Sequence, residues 1–373
     1  MNPVFRASIK YLKKADLFLL AFSLICSIIG LVLIWSATQQ RTSPDIAVQT
    51  LALVLGLICF VAFSLFDVEV LGHRWKLLLV FNIIILLSLV FFGEGDAVGS
   101  RNWLRFFGIG IQPSEIVKIS FIIMMAYHVN YLKEYKNINS FSSLVQIALH
   151  FSYLAFLLPD LGNALIFIFI LLVMLFLAGL KLRWFVLGFA LIAALAPFLW
   201  SQMAGYQQQR ILAPFDPSID PTNRGINFQV HRSRIAIASG QLSGQGLGQG
   251  LQTQSGSVPE QHTDFIFSAV GEQFGFIGVI ILMILIAIVI IRCFYIATKA
   301  RNTLQGLVAA GVGAFMLFQT LINIGMNIGL MPVIGIALPF FGYGGSSLVT
   351  TFMGMGLVCG VKMRATSPWK RSL

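Results

Sequence analysis

Charge is what this chain most lacks: of its 373 residues only 10% are Asp, Glu, Lys or Arg, and 14 are acidic. A soluble domain carries roughly 25% charged residues, so a water-soluble fold is excluded. Cysteine is scarce as well. Cys26, Cys59, Cys293 and Cys359 each stand alone inside an apolar run, without CxxC or Cys/His spacing, which argues against a disulfide framework or a zinc site and leaves them as packing residues. The Gly tract GQGLGQG fits neither GxGxxG nor the P-loop pattern and follows no strand, so it reads as a flexible hinge. No DxD motif is present to hold a nucleotide through a metal.

What the chain has instead is apolar length. It is 57% hydrophobic with 33 Phe, its mean hydropathy is +0.86, and apolar runs of about 20 residues, enough to cross a bilayer as helix, recur from end to end. The first of them, Leu17 to Trp35, is too long for a cleavable leader and reads as a span. Apolar runs set against charged breaks predict ten helices, at 17–37, 45–66, 76–93, 113–131, 140–158, 161–180, 183–203, 264–292, 304–330 and 339–361. The expected fold is therefore all-α, a single polytopic membrane domain over 1–373.

Basic residues orient it. With the N-terminus inside, the inner breaks carry 17 of the 25 Lys and Arg, among them Lys13, Lys14, Arg74, Lys76, Lys133, Lys181, Arg292 and Lys362. Short basic breaks belong to the cytoplasmic side, which places both termini there. The net charge of +11 thus reflects membrane orientation and predicts no nucleic-acid partner. The long polar segment 204–262, between helices seven and eight, falls outside. Within it, GINFQVHRSRIAIASG predicts a short amphipathic helix resting on the membrane interface.

A charge near the bilayer centre costs about 2.5 to 3.5 kcal/mol on insertion scales, so each charge within a span invites a functional reading. Glu115 and Lys118 lie in IQPSEIVKIS at the outer start of span four, and Glu272 lies eight residues beyond Asp264 in VPEQHTDFIFSAVGEQFG. Each has a plainer reading. Glu115 complements a helix N-terminus and pairs with Lys118 at i, i+3, while Thr263 or Asp264 caps span eight. No cap explains Glu272. His128 and His150 read as packing residues. Topology nevertheless gathers Arg101, Arg105, Glu115, Lys118, Asp160, Arg210, His262 and Asp264 on the outer side. A carboxylate beside cations at the edge of an apolar bundle suits chemistry on a lipid-borne anion: cations hold pyrophosphate, and the carboxylate takes a hydroxyl proton.

The stretches GSRNWLRFFGIGIQPSEIVKIS, LLPDLGNALI, YQQQRILAPFDPSIDP, VPEQHTDFIFSAVGEQFGFIG, NIGMNIGLMPVIGIALPF and YGGSS together resemble the SEDS family (shape, elongation, division and sporulation) over roughly residues 15 to 365. Within it, NIGM at 323–326 and GLQTQ at 250–254 are more similar to the RodA branch than to FtsW. Departures are Gly342 where Ser usually precedes YGGS, Ala238 for a usual Gly, and Gln273 for the second Glu of GEE.

The resemblance implies a peptidoglycan glycosyltransferase of the bacterial cytoplasmic membrane that serves cell elongation and shape. A glycan on undecaprenyl pyrophosphate would be transferred, with inversion, to the GlcNAc 4-hydroxyl of lipid II. It assigns Asp264 as general base and Glu115 and Lys118 as required residues, with Arg210 and Arg101 for the pyrophosphate; His262 and Asp160 are further candidates for substrate binding. It implies a class B penicillin-binding protein as transpeptidase partner. No cofactor is required, though a divalent cation, Mg or Mn, is compatible with the chemistry. A lipid II flippase is the rival reading; it needs a polar path to the midplane, whereas the in-span charges concentrate in the outer half. A scaffold without activity is the third, and predicts tolerance of Asp264→Asn.

Overall fold

The computed structural model describes residues 11–39, 45–94, 102–106, 109–158 and 161–365. Its helices follow the apolar runs: α1 Leu17–Ala37, α2 Asp45–Leu65, the short α3 Val68–His73, α4 Trp75–Phe92, α5 Pro113–Tyr135, α6 Phe141–Leu157, α7 Leu161–Ala178, α8 Leu182–Gln202, α9 Gly205–Leu212, α10 Phe228–Ser239, α11 Leu251–Gln254, α12 Ile266–Thr298, α13 Thr303–Asn327 and α14 Gly345–Ala365. Each of the ten expected spans has its helix. Seven of them (α1, α2, α4, α8, α12, α13 and α14) are long and apolar enough to cross a membrane by themselves. The others are short (α6, α7) or carry polar side chains inward (α5). Among the described residues the fold is all-α but for one addition, a hairpin of β1 Leu104–Phe106 and β2 Ile109–Ile111 with Arg105 opposite Gly110.

A bilayer offers no water to unpaired backbone groups, and lipid is as apolar as leucine, so helices associate by close fit. The α2–α14 contact shows this. Gly356 lies directly against the Phe60 backbone, where any Cβ would collide with its carbonyl oxygen. The most enclosed helix is α13, which packs on α5, α7, α12 and α14. Across the bundle, Asn82 of α4 donates to the Tyr153 hydroxyl (3.0 Å) and accepts from Ser120 of α5. At the far extreme, α8 has no buried residue at all. His128 and His150 stack at 3.9 Å between ring centroids beside Trp75, as packing residues.

The inner ends are tied by charge. Asp16 caps α1 through Leu19 N (3.1 Å) and is fully buried, its carboxylate bonded to Arg292 (2.9 Å) and Lys362 (3.3 Å). On α3, Glu69 accepts from Asn302 (2.7 Å) and Gln305 (3.0 Å), fastening α3 to the start of α13.

Candidate active site

Asp264 sits two residues before α12, half-buried, and is held by its own backbone. Its carbonyl oxygen accepts from the amides of Asn323 (2.8 Å) and Asn327 (2.9 Å), one turn apart on α13. Asn323 also donates to Ile336 O (2.8 Å), while Asn327 Oδ1 accepts from Ser268 N (3.2 Å) and its carbonyl from Ser233 Oγ (2.9 Å). Two amides therefore join α13, α10, the first turn of α12 and the 328–344 connection around one carbonyl. These hydrogen bonds fix the main chain of residue 264 and so set where its carboxylate stands. It faces Gly335, where a Cβ would stand 3.7 Å from Asp264 Oδ2.

His262, two residues before Asp264, is buried, its ring 5.5 Å from that of Tyr343 on the 328–344 connection, whose N–H donates to His262 O (2.7 Å). Burial, then the charge and hydrogen bond of Asp45, push the Tyr343 phenol up.

Helix α12 is broken at Gly275, with φ 64° and ψ −164°, a region open to glycine alone. A broken helix strands carbonyls on one side and N–H groups on the other. Here the outer loop satisfies both: Gln245 N and Gly246 N donate to the carbonyls of Glu272 (2.9 Å) and Gln273 (3.0 Å), and Phe276 N and Ile277 N donate to Gln241 O (2.8 Å) and Leu242 O (3.2 Å). The Gly tract is thus an ordered seam and not the flexible hinge its composition suggests. Gly240 belongs to the same seam, its Cα against Gly271 O.

The seam also accounts for Glu272. Its carboxylate, fully buried, accepts from Gln252 N (2.7 Å), Thr253 N (2.8 Å) and Thr253 Oγ1 (2.5 Å), capping α11 from another element. Its role is structural, which corrects the functional weight given by its position within an apolar run. Gln273, the departure from GEE, needs only its carbonyl: Oε1 accepts from Ser36 Oγ (2.7 Å) and Gly248 N (3.2 Å). Helix α10, expected to rest on the membrane interface, instead buries Val230, Ser233 and Ala236 against α12 and α13.

Arg210, on α9, shares with Arg224 a cavity of about 290 Å³ also lined by Asn227, Pro259 and Val333. Pro259 and Val333 connect it to the Asp264 segment, since Val258, Val333, Val230 and Phe265 pack together. The turn that carries Arg224 is shaped by Asp220. Burial raises the Asp220 pKa, but hydrogen bonds from the N–H groups of Asn227 (3.0 Å), Gly225 (2.8 Å) and Arg224 (3.3 Å) outweigh it and hold the carboxyl below the usual range. A carboxyl whose folded pKa is lowered stabilises the fold above its unfolded pKa and loses that contribution as pH falls through the folded one. Protection of the 222–227 amides against hydrogen exchange, taken relative to each amide's intrinsic rate, should therefore fall below about pH 4, and in Asp220→Asn be low at neutral pH already.

Glu115 and Lys118 form the expected pair at 2.6 Å, both buried, with the ammonium 5.7 Å from the Phe315 ring. Pro113 starts α5, and Gln112 N donates to Ser346 Oγ (3.3 Å) at the YGGSS turn. Arg105 pairs with Glu94 at 3.5 Å on the exposed hairpin. Arg101 and Asp160 lie outside the described residues. Among the described residues no three His, Cys, Asp or Glu side chains gather as metal ligands.

Sequence reasoning assigned no role to Asn323, Asn327, Gly335, Tyr343 or Arg224. NIGM and YGGSS were visible as motifs, but amides that bond main-chain carbonyls leave no charge pattern to find.

The chain resembles known proteins along nearly its whole length. The FtsW/RodA/SpoVE family model, described as cell cycle protein, matches residues 16–367. A probable peptidoglycan glycosyltransferase FtsW of Geobacter metallireducens is 33% identical, covering 98% of this chain and 99% of its own. The peptidoglycan glycosyltransferase MrdB of Escherichia coli K12 is 33% identical over 88% of each. Among solved structures, a chain from a peptidoglycan synthase complex that coordinates polymerization and crosslinking superposes with a TM-score of 0.81 at 27% identity, covering 95% of this chain and 99% of the other. The rod shape determining protein RodA of Thermus thermophilus gives 0.69 at 25% identity, covering 95% and 98%. With 352 consecutive residues inside one family model and relatives matched end to end, the chain belongs to the FtsW/RodA/SpoVE family, the SEDS family that its motifs resemble.

Proposed function

We propose that this multi-pass inner-membrane protein is a peptidoglycan glycosyltransferase that polymerises lipid II at the outer membrane face, with Asp264 as its general base. The observation that carries this reading is the setting of Asp264: a half-buried carboxylate fixed through its own carbonyl by Asn323 and Asn327, beside a cavity bearing Arg210 and Arg224. The acceptor's 4-hydroxyl gives its proton to Asp264 as its oxygen bonds to the donor's anomeric carbon. The bond from that carbon to undecaprenyl pyrophosphate breaks on the opposite face, which inverts the centre. Arg210 and Arg224 bear the charge that grows on the departing diphosphate, which lowers the barrier only because they are in place beforehand. The exposed flank of α8 gives the polyprenyl tails a lipid-facing surface to lie on. A divalent cation, if one takes part, would draw ligands from the diphosphate.

A class B penicillin-binding protein would cross-link the glycan, and the likeness to a polymerizing and crosslinking complex supports such a partner. The RodA motifs favour a role in elongation; equal identities to FtsW and MrdB relatives do not separate the branches. Rescue of rod shape in a RodA-depleted host, without rescue of septation in an FtsW-depleted one, would.

The test of the reading is polymerisation of lipid II by purified protein, alone and with its partner. Glycan polymer is expected. Translocation of lipid II without polymer would favour the flippase reading.

The Glu115–Lys118 pair allows a sharper experiment. Lys118→Ala leaves Glu115 charged and unpaired in a buried site, which costs about 3 to 5 kcal/mol, and should remove activity. In Glu115→Gln/Lys118→Met no buried charge remains, so the melting temperature should recover while polymerisation stays below about a hundredth of wild type. Recovery of activity along with stability would make the pair purely structural.

A further inference from the structure

At the end of the bundle opposite Asp264, a shallow groove of about 480 Å³ opens between the start of α1 and the end of α14, lined by Leu12, Lys13, Asp16, Leu17, Phe18 and Lys362. Two features set it apart from an ordinary lipid-facing surface. Its acid is already paired, since buried Asp16 bonds Arg292 at 2.9 Å and Lys362 at 3.3 Å. That one carboxylate is bonded to two cations, and Lys13 lines the groove as a third, so the groove carries a net excess of positive charge. Its apolar side chains are also exposed: Leu12 and Leu17 at 49% and Phe18 at 47%, with the Arg292 guanidinium 5.3 Å from the Phe18 ring. Cations at the inner membrane surface above an apolar wall match one class of ligand, a molecule with a phosphate at the interface and hydrocarbon below it.

We propose that this groove binds an anionic glycerophospholipid of the inner leaflet, its phosphate held between Lys13 and Lys362 and an acyl chain lying on Leu12, Leu17 and Phe18. By bridging α1 and α14, which Asp16 already joins through Cys359 Sγ (3.3 Å) and Lys362 (3.3 Å), the lipid would tie helices that also frame the outer site. Each basic residue near an anionic headgroup contributes about 1 kcal/mol, or about fivefold in affinity.

Native mass spectrometry of the delipidated full-length protein, titrated with phosphatidylglycerol, phosphatidylcholine or inorganic phosphate, tests this. Phosphatidylglycerol should bind about 25-fold more tightly than phosphatidylcholine, two cations at fivefold each. Lys13→Gln and Lys362→Gln should each weaken it about fivefold, and Lys133→Gln, which removes an exposed inner lysine elsewhere, should not. Because Lys362 also pairs with Asp16, Lys13→Gln is the decisive variant should Lys362→Gln fold poorly. Equal binding of the two lipids, equal weakening by Lys133→Gln, or displacement of the lipid by inorganic phosphate at comparable concentration would each overturn the proposal.

Discussion

Asp264→Asn should leave a folded protein that polymerises lipid II about 10² to 10⁴-fold more slowly, the range a positioned general base contributes. The substitution is well suited to isolate chemistry from structure. Asn323 and Asn327 bond its backbone carbonyl, which an asparagine keeps, and the amide has the carboxylate's shape. Thermal melting and yield should match wild type, while the rate falls with the loss of the proton acceptor. A melting temperature reduced in step with the rate would show that Asp264 holds the loop together, and retained polymerisation would favour an inactive scaffold.

Gly275→Ala should destabilise the protein and abolish its activity with a single added methyl. At φ 64° and ψ −164° an L-residue is strained by about 1 to 3 kcal/mol, and the new Cβ would meet the Gly244 nitrogen and the Leu242 carbonyl, backbone atoms that cannot swing aside. Relief requires the seam to open. That breaks the four main-chain bonds from residues 241, 242, 245 and 246 to the broken helix and exposes carbonyls and N–H groups with no other partner. The expected result is a lower melting temperature together with loss of activity, because the first turns of α12 carry Asp264 at their head. Gly179→Ala, also at positive φ (94°) but with open space around it, isolates the strain: it should be much milder. Equal effects at both positions would show that the seam adds nothing beyond backbone strain.

Much of this architecture was readable as text because the bilayer imposes it. An apolar run of about 20 residues has few alternatives to a spanning helix, and inner lysines orient the bundle, so each of the ten expected helices is present. Asp264, Glu115 and Lys118 stood out because charge beside hydrocarbon is costly. The same reasoning misjudged Glu272. The sequence shows an acid in an apolar run, but not that Gly275 breaks the helix three residues later and lets a loop deliver Gln252 and Thr253 to it. GQGLGQG misled for a related reason: glycine signals conformational freedom, and only the partner backbone shows that the freedom is used once, to form a fixed seam. Asn323 and Asn327 were hidden because neutral amides inside a helix are compatible with mere packing until the carbonyls they meet are known.

The most direct measurement is a structure of Asp264→Asn trapped with lipid II in the acceptor site. The account predicts residue 264 within about 3.2 Å of the GlcNAc 4-hydroxyl, hydrogen-bond reach for proton transfer, with a diphosphate against Arg210 and Arg224. An acceptor hydroxyl bound beyond the reach of residue 264, or sugars bound at the inner face of the bundle, would contradict it.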